Sequence, residues 1–278
     1  MRILFLDSPA FAKQDMIDAF EACNITCDLF FHKDYQERQS ADFEKCFLNA
    51  FQKKDYDLVF SFNYAPVLSR CCQKVNIKYV SYVYDSPLVA LYSCTLINPC
   101  NYVFLFDKAT YLTFHNAGIS TVHYLPLAAN VKRLTSMVCP DAVREKISSD
   151  VSFVGSLYNE DHNFYDRLHT ISDYTRGYLD SIMAAQQQIY GAFFLEQLLT
   201  PPILEDLQKC IPYSPMPDGT ESAAYVYANY FLCRKITSNE RLSLLKAASE
   251  QYSLKLYTHQ KCKDCLLYTS PSPRDSTS

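Results

Sequence analysis

The sequence predicts an α/β protein built around a doubly wound parallel sheet, and three observations predict it. Short β-rich runs recur along the first half of the chain, most of them are continuously apolar, and helical patterns fill the intervals. Parallel strands covered on both faces require continuous apolar runs, whereas a sheet with one wet face would alternate. Strand and helix in alternation indicate βαβ units.

The first run, Arg2–Leu6, is followed by Met16, Ile17, Phe20 and Cys23 on one helical face. After the second run, residues 26–31, Ser40 can cap a helix whose Phe43, Phe47, Ala50 and Phe51 recur at i, i+4, i+7 and i+8. Further runs fall at 58–62, 78–84, 102–106 and 121–125, and a helix over 108–117 is stopped by Gly118, where a left-handed residue is needed. These six strands and their crossovers make a doubly wound domain over 1–131. A linker over 132–149 carries Pro140 and a short helical piece at 141–147.

The second domain, 150–264, opens with a strand at 151–154 and Gly155-Ser156, then turns largely helical over 178–199 and 221–235. Pro201-Pro202 and the proline-rich stretch 211–219 separate these helices. Thr237 and Glu240 form a capping box for a helix running to Gln251, and a strand at 254–258 follows. With two strands only, this domain reads as the incomplete start of a second sheet, whose open edge is an aggregation liability.

Residues 265–278 stand apart. The run CLLYTSPSPRD, Cys265 to Asp275, resembles the in-frame translation of a transposase-type sequencing-library adapter, so the natural chain is expected to have been cut near Asp264. Such a segment carries no fold information. It also removes the apparent Cys262-Lys-Asp-Cys265 pair as a metal or redox motif, because Cys265 belongs to the suspected adapter.

Composition narrows the function. Hydrophobic residues make up 49% and charged residues 20% of the 278, which describes a globular chain with ample core material. A net charge of −4 with no polybasic run disfavours nucleic acid as a partner. No apolar stretch reaches the roughly 18 residues of a membrane span, and the one after Met1 is shorter than the roughly 7 to 15 of a signal-peptide core. The expected location is cytoplasmic, with most of the twelve cysteines reduced and packed as small hydrophobes.

Ligands of parallel α/β sheets bind beyond the carboxyl ends of the strands. There the sequence places Asp7-Ser8-Pro9, Ser61 to Tyr64, Tyr84-Asp85-Ser86-Pro87, Asp107-Lys108, Pro126 to Asn130 and, in the second domain, Gly155-Ser156-Leu157-Tyr158. Each has a structural alternative, since Asp and Ser start helices, and Asp7 and Asp107 read equally as caps. Asp85 stands out because it closes an apolar strand in the middle of the sheet sequence. Tyr64, Tyr84 and Tyr158 sit where a ring could stack on a sugar. The five glycines form neither GxGxxG nor a Walker loop, and no GxSxG elbow is present. Six dispersed histidines show no metal-ligand spacing; His123 reads as packed, and His162 is a weak acid/base candidate.

At these strand ends the chain resembles the CgeB-like spore-maturation glycosyltransferases. The resemblance rests on ILFLD (Ile3 to Asp7), VFSFN (Val59 to Asn63), SYVYDSP (Ser81 to Pro87), NYVFLFD (Asn101 to Asp107), YLPLAAN (Tyr124 to Asn130), DVSFVGSLYNE (Asp150 to Glu160), KITSNER (Lys235 to Arg241) and LYT (Leu256 to Thr258). Tyr82 stands where the family more usually has Trp. The resemblance implies a GT-B architecture of two Rossmann-like domains facing a cleft, with the acceptor on the first and a nucleotide-sugar donor on the second. It implies no cofactor or metal, because backbone N–H groups and basic side chains would stabilise the leaving diphosphate. Transfer would run to a surface or spore-associated glycan or glycoprotein. Asp85 would be the catalytic base, with Asn63, Tyr84, Ser86 and Asn130 on the acceptor side and Gly155, Ser156 and Tyr158 on the donor side. Gly155 is followed by Ser156 and Leu157 where related enzymes carry Arg or Lys. The glycine-rich donor segment would lie beyond the cut, so residues 1–264 are expected to hold an acceptor face and to lack transferase activity. The rival readings are a non-catalytic sugar- or nucleotide-binding α/β module and a receiver- or flavodoxin-like domain; the latter lacks the acidic pair such domains carry.

Overall fold

The computed structural model describes residues 1–159 and 163–258. The chain divides into two compact units, Met1–Thr135 with Pro215–Glu221, and Ser136–Ser214 with the chain from Ser222 onward. The first division lies close to the predicted domain end at 131. The return of Pro215–Glu221 to the first unit was not legible in the sequence.

The first unit is built on β1 (Arg2–Leu6), β2 (Thr26–Phe30), β3 (Leu58–Phe62), β4 (Tyr79–Val83), β5 (Asn101–Leu105) and β6 (Val122–Tyr124), each close to its predicted run. All pair parallel, in the order β2-β1-β3-β4-β5-β6. The order reverses between β1 and β3, which makes their carboxyl ends the topological switch point.

Because side chains alternate across a strand, the sheet has two cores. Leu4, Leu6, Val59, Tyr79, Val103 and Leu105 face one side, under α2 (Ala41–Phe51), α3 (Pro66–Val75) and α4 (Lys108–Asn116). Ser40 caps α2 as predicted, accepting from Phe43 N at 3.0 Å, and Phe43 and Phe47 are fully buried. Helix α3 begins with Pro66, where a missing N–H costs nothing, and ends at left-handed Asn76. Two 3₁₀ turns, Val89–Tyr92 and Cys94–Ile97, occupy the β4–β5 crossover. Gly118, with φ 85°, follows α4 as predicted.

On the opposite side Ile3, Phe5, Phe60 and Phe62 pack under α1 (Lys13–Ala22) through Met16, Ile17 and Phe20. Cys23 is exposed and does not join that face, because the helix has ended at Ala22. Coverage on both faces holds for β1 and β3 but not for β5 and β6. Tyr102 and Tyr124 remain 39% and 43% exposed, and His123 stacks beside Tyr102 with ring centroids 6.1 Å apart.

The second unit pairs β7 (Val151–Val154) with β8 (Leu254–Tyr257) in parallel. Leu157, Leu245, Leu254 and Leu256 form a small core beside them. The larger core, including Leu168, Leu179, Leu195, Leu207, Tyr227 and Leu232, belongs to the helices. Short α5 (Val131–Ser136) and α6 (Asp141–Ile147) precede β7.

Three helical expectations are corrected here. The helix read over 178–199 is α7 (Asp173–Gln188) and α8 (Leu195–Leu198), interrupted at Gly191 with φ 86°. Pro201-Pro202 do not merely separate helices but open α9 (Pro201–Cys210), since proline fits a helix's first turn. Thr237 and Glu240 form no capping box. Thr237 lies inside α11 (Cys233–Gln251) and donates to Cys233 O at 2.9 Å. The helical run starts instead at Ser222, whose hydroxyl accepts from Tyr225 N at 2.9 Å, through α10 (Ala223–Val226) and a π-helical turn, Tyr227–Leu232.

The ten described cysteines are free thiols. Burial pushes Cys71 up to about 12 and Cys27 and Cys100 up to about 11, so these pack as neutral groups. Among the described residues no helix is long and apolar enough to cross a membrane. His162, the Cys262–Cys265 pair and the 265–278 segment lie outside the described residues.

Candidate functional site

The first candidate locus is the carboxyl rim of the six-stranded sheet. Asn63 directly follows β3 with φ 53°, a left-handed backbone that asparagine tolerates better than most residues. Its Oδ1 accepts from Tyr84 N at 3.1 Å and Asp85 N at 3.3 Å, and its Nδ2 donates to Asp85 Oδ2 at 2.7 Å. One asparagine thereby fixes both the backbone and the carboxylate of the β4 exit. Asp85 is exposed, and its Oδ1 has no protein partner among the described residues. A carboxylate held by one oxygen and open at the other can accept a hydroxyl proton.

Ser86 donates to Asp107 Oδ2 at 2.8 Å, linking the β4 exit to the β5 exit. Asp107 caps α4, accepting from Ala109 N at 3.0 Å, and takes the Thr110 hydroxyl at 2.6 Å. Burial pushes its carboxyl upward, but the Thr110 and Ser86 hydroxyls and the Ala109 N–H outweigh that and hold it below the ordinary range. The cap role of Asp107, one of the two readings left open, is therefore realised. Asp7 caps no helix and instead pairs with Lys13 Nζ at 2.6 Å.

Tyr84 is partly buried against Phe62, with centroids 5.5 Å apart. Tyr64 does not stand on the rim: it is 3% exposed, and its hydroxyl bonds Thr95 at 2.8 Å inside the core. Burial pushes its phenol up to about 12. A place two residues past β3 does not put its ring on the rim, because it turns into the core just ahead of α3.

Asn130 ends the irregular stretch between β6 and α5, and its side chain reaches Asp15 of α1. Its Nδ2 donates to Asp15 Oδ1 at 3.0 Å and its Oδ1 accepts from Arg133 N at 3.0 Å. Arg133 also grips Asp15 with two bonds, at 2.6 and 2.9 Å. Hydrogen bonds from Arg133 and Asn130 hold the Asp15 carboxyl below its usual range. Tyr82 OH donates to Pro126 O at 2.7 Å, so this stretch is strapped near the rim at both ends. The sequence offered no signal for the Asp15–Arg133 pair, whose members are over one hundred residues apart.

The second locus is the β7 exit. Gly155 has φ 154°, a conformation reserved for glycine, and its N–H donates to Tyr257 O at 2.9 Å. Ser156 Oγ accepts from Tyr158 N at 2.9 Å, and Asn163 Nδ2 donates to Tyr158 O at 2.8 Å, holding Tyr158 left-handed at φ 54°. A cation from α11 reaches this loop. Arg241 lies over the Tyr158 ring at 4.5 Å and near the Phe153 ring at 5.5 Å, and its Nη1 donates to Ser156 O. Arg241 stands in the KITSNER run, yet linear spacing gave no reason to place it at this loop.

Among the described residues one trio could hold a metal. His32, Asp42 and Cys46 place one ligand atom each within 4.8 Å of one another. His32 Nδ1 accepts from Asp34 N at 3.1 Å, so the ring proton sits on Nε2, facing Asp42 at 3.3 Å. A ligating imidazole has the reverse arrangement, donating its outer N–H and offering the inner lone pair. The trio fits a histidine bracing the first turn of α2.

No protein-family model, no curated protein and no solved structure matches the chain.

Proposed function

We propose that the chain carries the acceptor face of a GT-B-type, CgeB-like glycosyltransferase, an enzyme that moves a sugar from a nucleotide-sugar to a surface or spore-associated glycan or glycoprotein, and that the chain by itself does not perform the transfer. The observation that carries the reading is the Asn63–Asp85 clamp. It presents an exposed carboxylate with one oxygen held at 2.7 Å and the other without a partner among the described residues, beyond the carboxyl end of a central parallel strand. In this reading Asp85 takes the proton of the attacking acceptor hydroxyl. Asn63 positions it, Ser86 and Tyr84 border the acceptor, and the Gly155–Tyr158 loop belongs to the donor. Asn130, whose amide is engaged by Asp15 and Arg133, positions the chain beside the rim.

The strand order favours one second reading. A sheet ordered 2-1-3-4-5 takes a mononucleotide at its β1/β3 switch point, so the first unit could be a non-catalytic nucleotide-binding module. Titrating the chain with a panel of oligosaccharides and a panel of mononucleotides, followed by saturation-transfer NMR, separates the two. The transferase reading expects oligosaccharide binding that weakens about 10- to 100-fold in Asp85→Ala, the worth of hydrogen bonds to a charged group. Mononucleotide binding alone, or oligosaccharide binding indifferent to Asp85, would sink it.

A further inference from the structure

We infer that the edge strand β6 is a docking surface for a second copy of this chain, added to the sheet antiparallel about a two-fold axis. This surface belongs wholly to the first unit and needs nothing from the transferase reading. β6 ends the six-stranded sheet, so one side of its backbone has no neighbouring strand. Its inner side is bonded beyond the three residues of the strand itself: Val103 N donates to Thr121 O at 2.9 Å, and Leu125 N donates to Leu105 O at 3.0 Å. Backbone groups alternate in direction along a strand, which turns the N–H and C=O of Val122 and of Tyr124 outward. They form an open row to which another strand can bond.

Proteins normally guard such a row with charge. The opposite edge, β2, is guarded: Asp28 lies in mid-strand, tied to Arg2 at 2.9 Å and Lys54 at 2.7 Å. β6 is not. Residues 109–131, which take in nearly all of α4, then β6 and the stretch beyond it, contain no Asp, Glu, Lys or Arg in a chain that is 20% charged. Rings and apolar side chains stand there instead. Tyr102 and His123 stack on one face of the edge, Tyr124 lies 5.9 Å from Tyr111 on the other, and Leu112, Tyr124 and Leu125 are exposed. Contiguous exposed apolar surface marks an interaction site.

The absence of charge selects the partner. Across a two-fold axis each residue near the axis meets its own copy, so any charge there would face its like. An uncharged edge satisfies that condition, which a different protein would not impose. Antiparallel pairing centred on His123 sets Val122 against Tyr124 of the other copy, where the outward N–H and C=O groups exchange bonds. It also brings the two His123 rings together on one face, with Tyr102 beside them. Such pairing closes on itself. Each copy uses its β6 edge while Asp28 keeps β2 guarded, so the product is a dimer with one continuous sheet and not a fibre.

The test is sedimentation equilibrium of the whole 278-residue chain over about 1 to 300 µM, where a monomer–dimer equilibrium and nothing larger is expected. Tyr124→Pro removes an outward N–H and leaves the Thr121 and Leu125 bonds to β5 in place, since proline is tolerated on the open side of an edge strand. Tyr124→Lys puts a charge where two copies meet. Each substitution enters the interface twice, so either should weaken the dimer on the order of 100-fold. Leu29→Lys, at an exposed position of β2, should leave it unchanged. Hydrogen exchange resolved by peptide needs no variant and decides alone if a variant unfolds: residues 120–125 of the parent should exchange at least about threefold more slowly at 300 µM than at 1 µM, while β2 and β7 exchange alike at both. A monomeric mass throughout that range, a dimer that survives both Tyr124 substitutions, or concentration-dependent protection of β7 in place of 120–125 would each overturn the inference.

Discussion

Replacing Asp218 should unfasten the segment Pro215–Glu221 from the first unit. The segment adds two backbone bonds to that unit, Cys94 N to Asp218 O and Thr220 N to Tyr92 O, each 2.8 Å, and a bridge between Ser93 and Gly219. Its anchor is a cluster of buried charge. The Asp218 side chain is 5% exposed and faces Arg38 Nη1 at 3.6 Å, Arg70 Nη2 at 3.1 Å and the Ser93 hydroxyl at 2.6 Å. Arg38, 8% exposed, also pairs with Glu221 Oε1 at 3.2 Å, a carboxylate shut off from solvent. Removing one partner of a buried ion pair costs about 3 to 5 kcal/mol, because the other is left desolvated. Arg38 keeps Glu221, and Arg70 is partly solvated, so Asp218→Ala should fall near the lower figure, about 3 kcal/mol. Arg38→Met withdraws the cation from two buried carboxylates together and should cost more. Two units need not unfold in one step, so the assay is hydrogen exchange resolved by peptide, following Ser93–Ile97 and Pro215–Glu221 in the full chain. A loss of under about 1 kcal/mol in local protection for Asp218→Ala, the scale of a surface pair, would refute the cluster's role, as would Arg38→Met proving milder.

The remaining predictions follow from single contacts. Asn63→Ala removes three bonds and the tolerance for a left-handed backbone, and should cost about 1 to 3 kcal/mol in urea unfolding, whereas Asn63→Gly should recover the backbone share only. Ser40→Ala deletes the α2 cap and should cost about 1 kcal/mol by the same measurement. Ser86→Ala should let the Asp107 carboxyl rise toward its ordinary value, read by carboxyl-carbon NMR titration. The sign follows from the lowered native value: Asp107 contributes stability above the ordinary aspartate range, and that contribution fades as pH falls through its depressed native pKa. Ser86→Ala should therefore leave neutral-pH protection of α4 reduced and its acid-induced loss starting at higher pH. An unmoved Asp107 titration in Ser86→Ala would count against the bond at 2.8 Å.

The six strands of the first unit were legible because each is short, apolar and bounded by polar or glycine residues, and tertiary context had nothing to override. Ser40 and Gly118 were legible because caps act through their own side chain or their lack of one. The second unit was harder. Its helices are joined by segments whose prolines fit a start as well as a stop, as Pro201-Pro202 show, and Thr237 could be told from a cap only by knowing that helical backbone already precedes it. The rim residues Asn63, Asp85, Ser86 and Asp107 were singled out by following each strand to its end, which works for parallel sheets. That Asn63 would hold Asp85 was not legible, because only the pairing of Val59–Phe62 with Tyr79–Tyr82 brings the two strand ends together. Arg241 was missed for the same reason: its partners Ser156 and Tyr158 lie more than eighty residues away, and no local pattern encodes that distance.

Backbone strain offers an independent view of the same two loci. Among the described residues four besides glycine have positive φ: Asn24, Asn63, Asn76 and Tyr158. Asn24 and Asn76 sit at the carboxyl ends of α1 and α3, where a left-handed residue closes a helix and needs no further reason. Asn63 and Tyr158 close no helix. Each follows a parallel strand, and side-chain hydrogen bonds to backbone tie each into its turn: Asn63 gives its own amide to the β4 exit, and Tyr158 is held by Ser156 and Asn163. Each also contacts a charged group, the Asp85 carboxylate in one case and the Arg241 guanidinium in the other. A conformation costing on the order of 1 to 3 kcal/mol persists only where its surroundings enforce it, and such enforcement gathers at sites whose side chains must be aimed. The strain thus separates Asn63 and Tyr158 from ordinary turn residues without reference to any motif, and points to the Asp85 carboxylate at one strand end and the Arg241 guanidinium at the other.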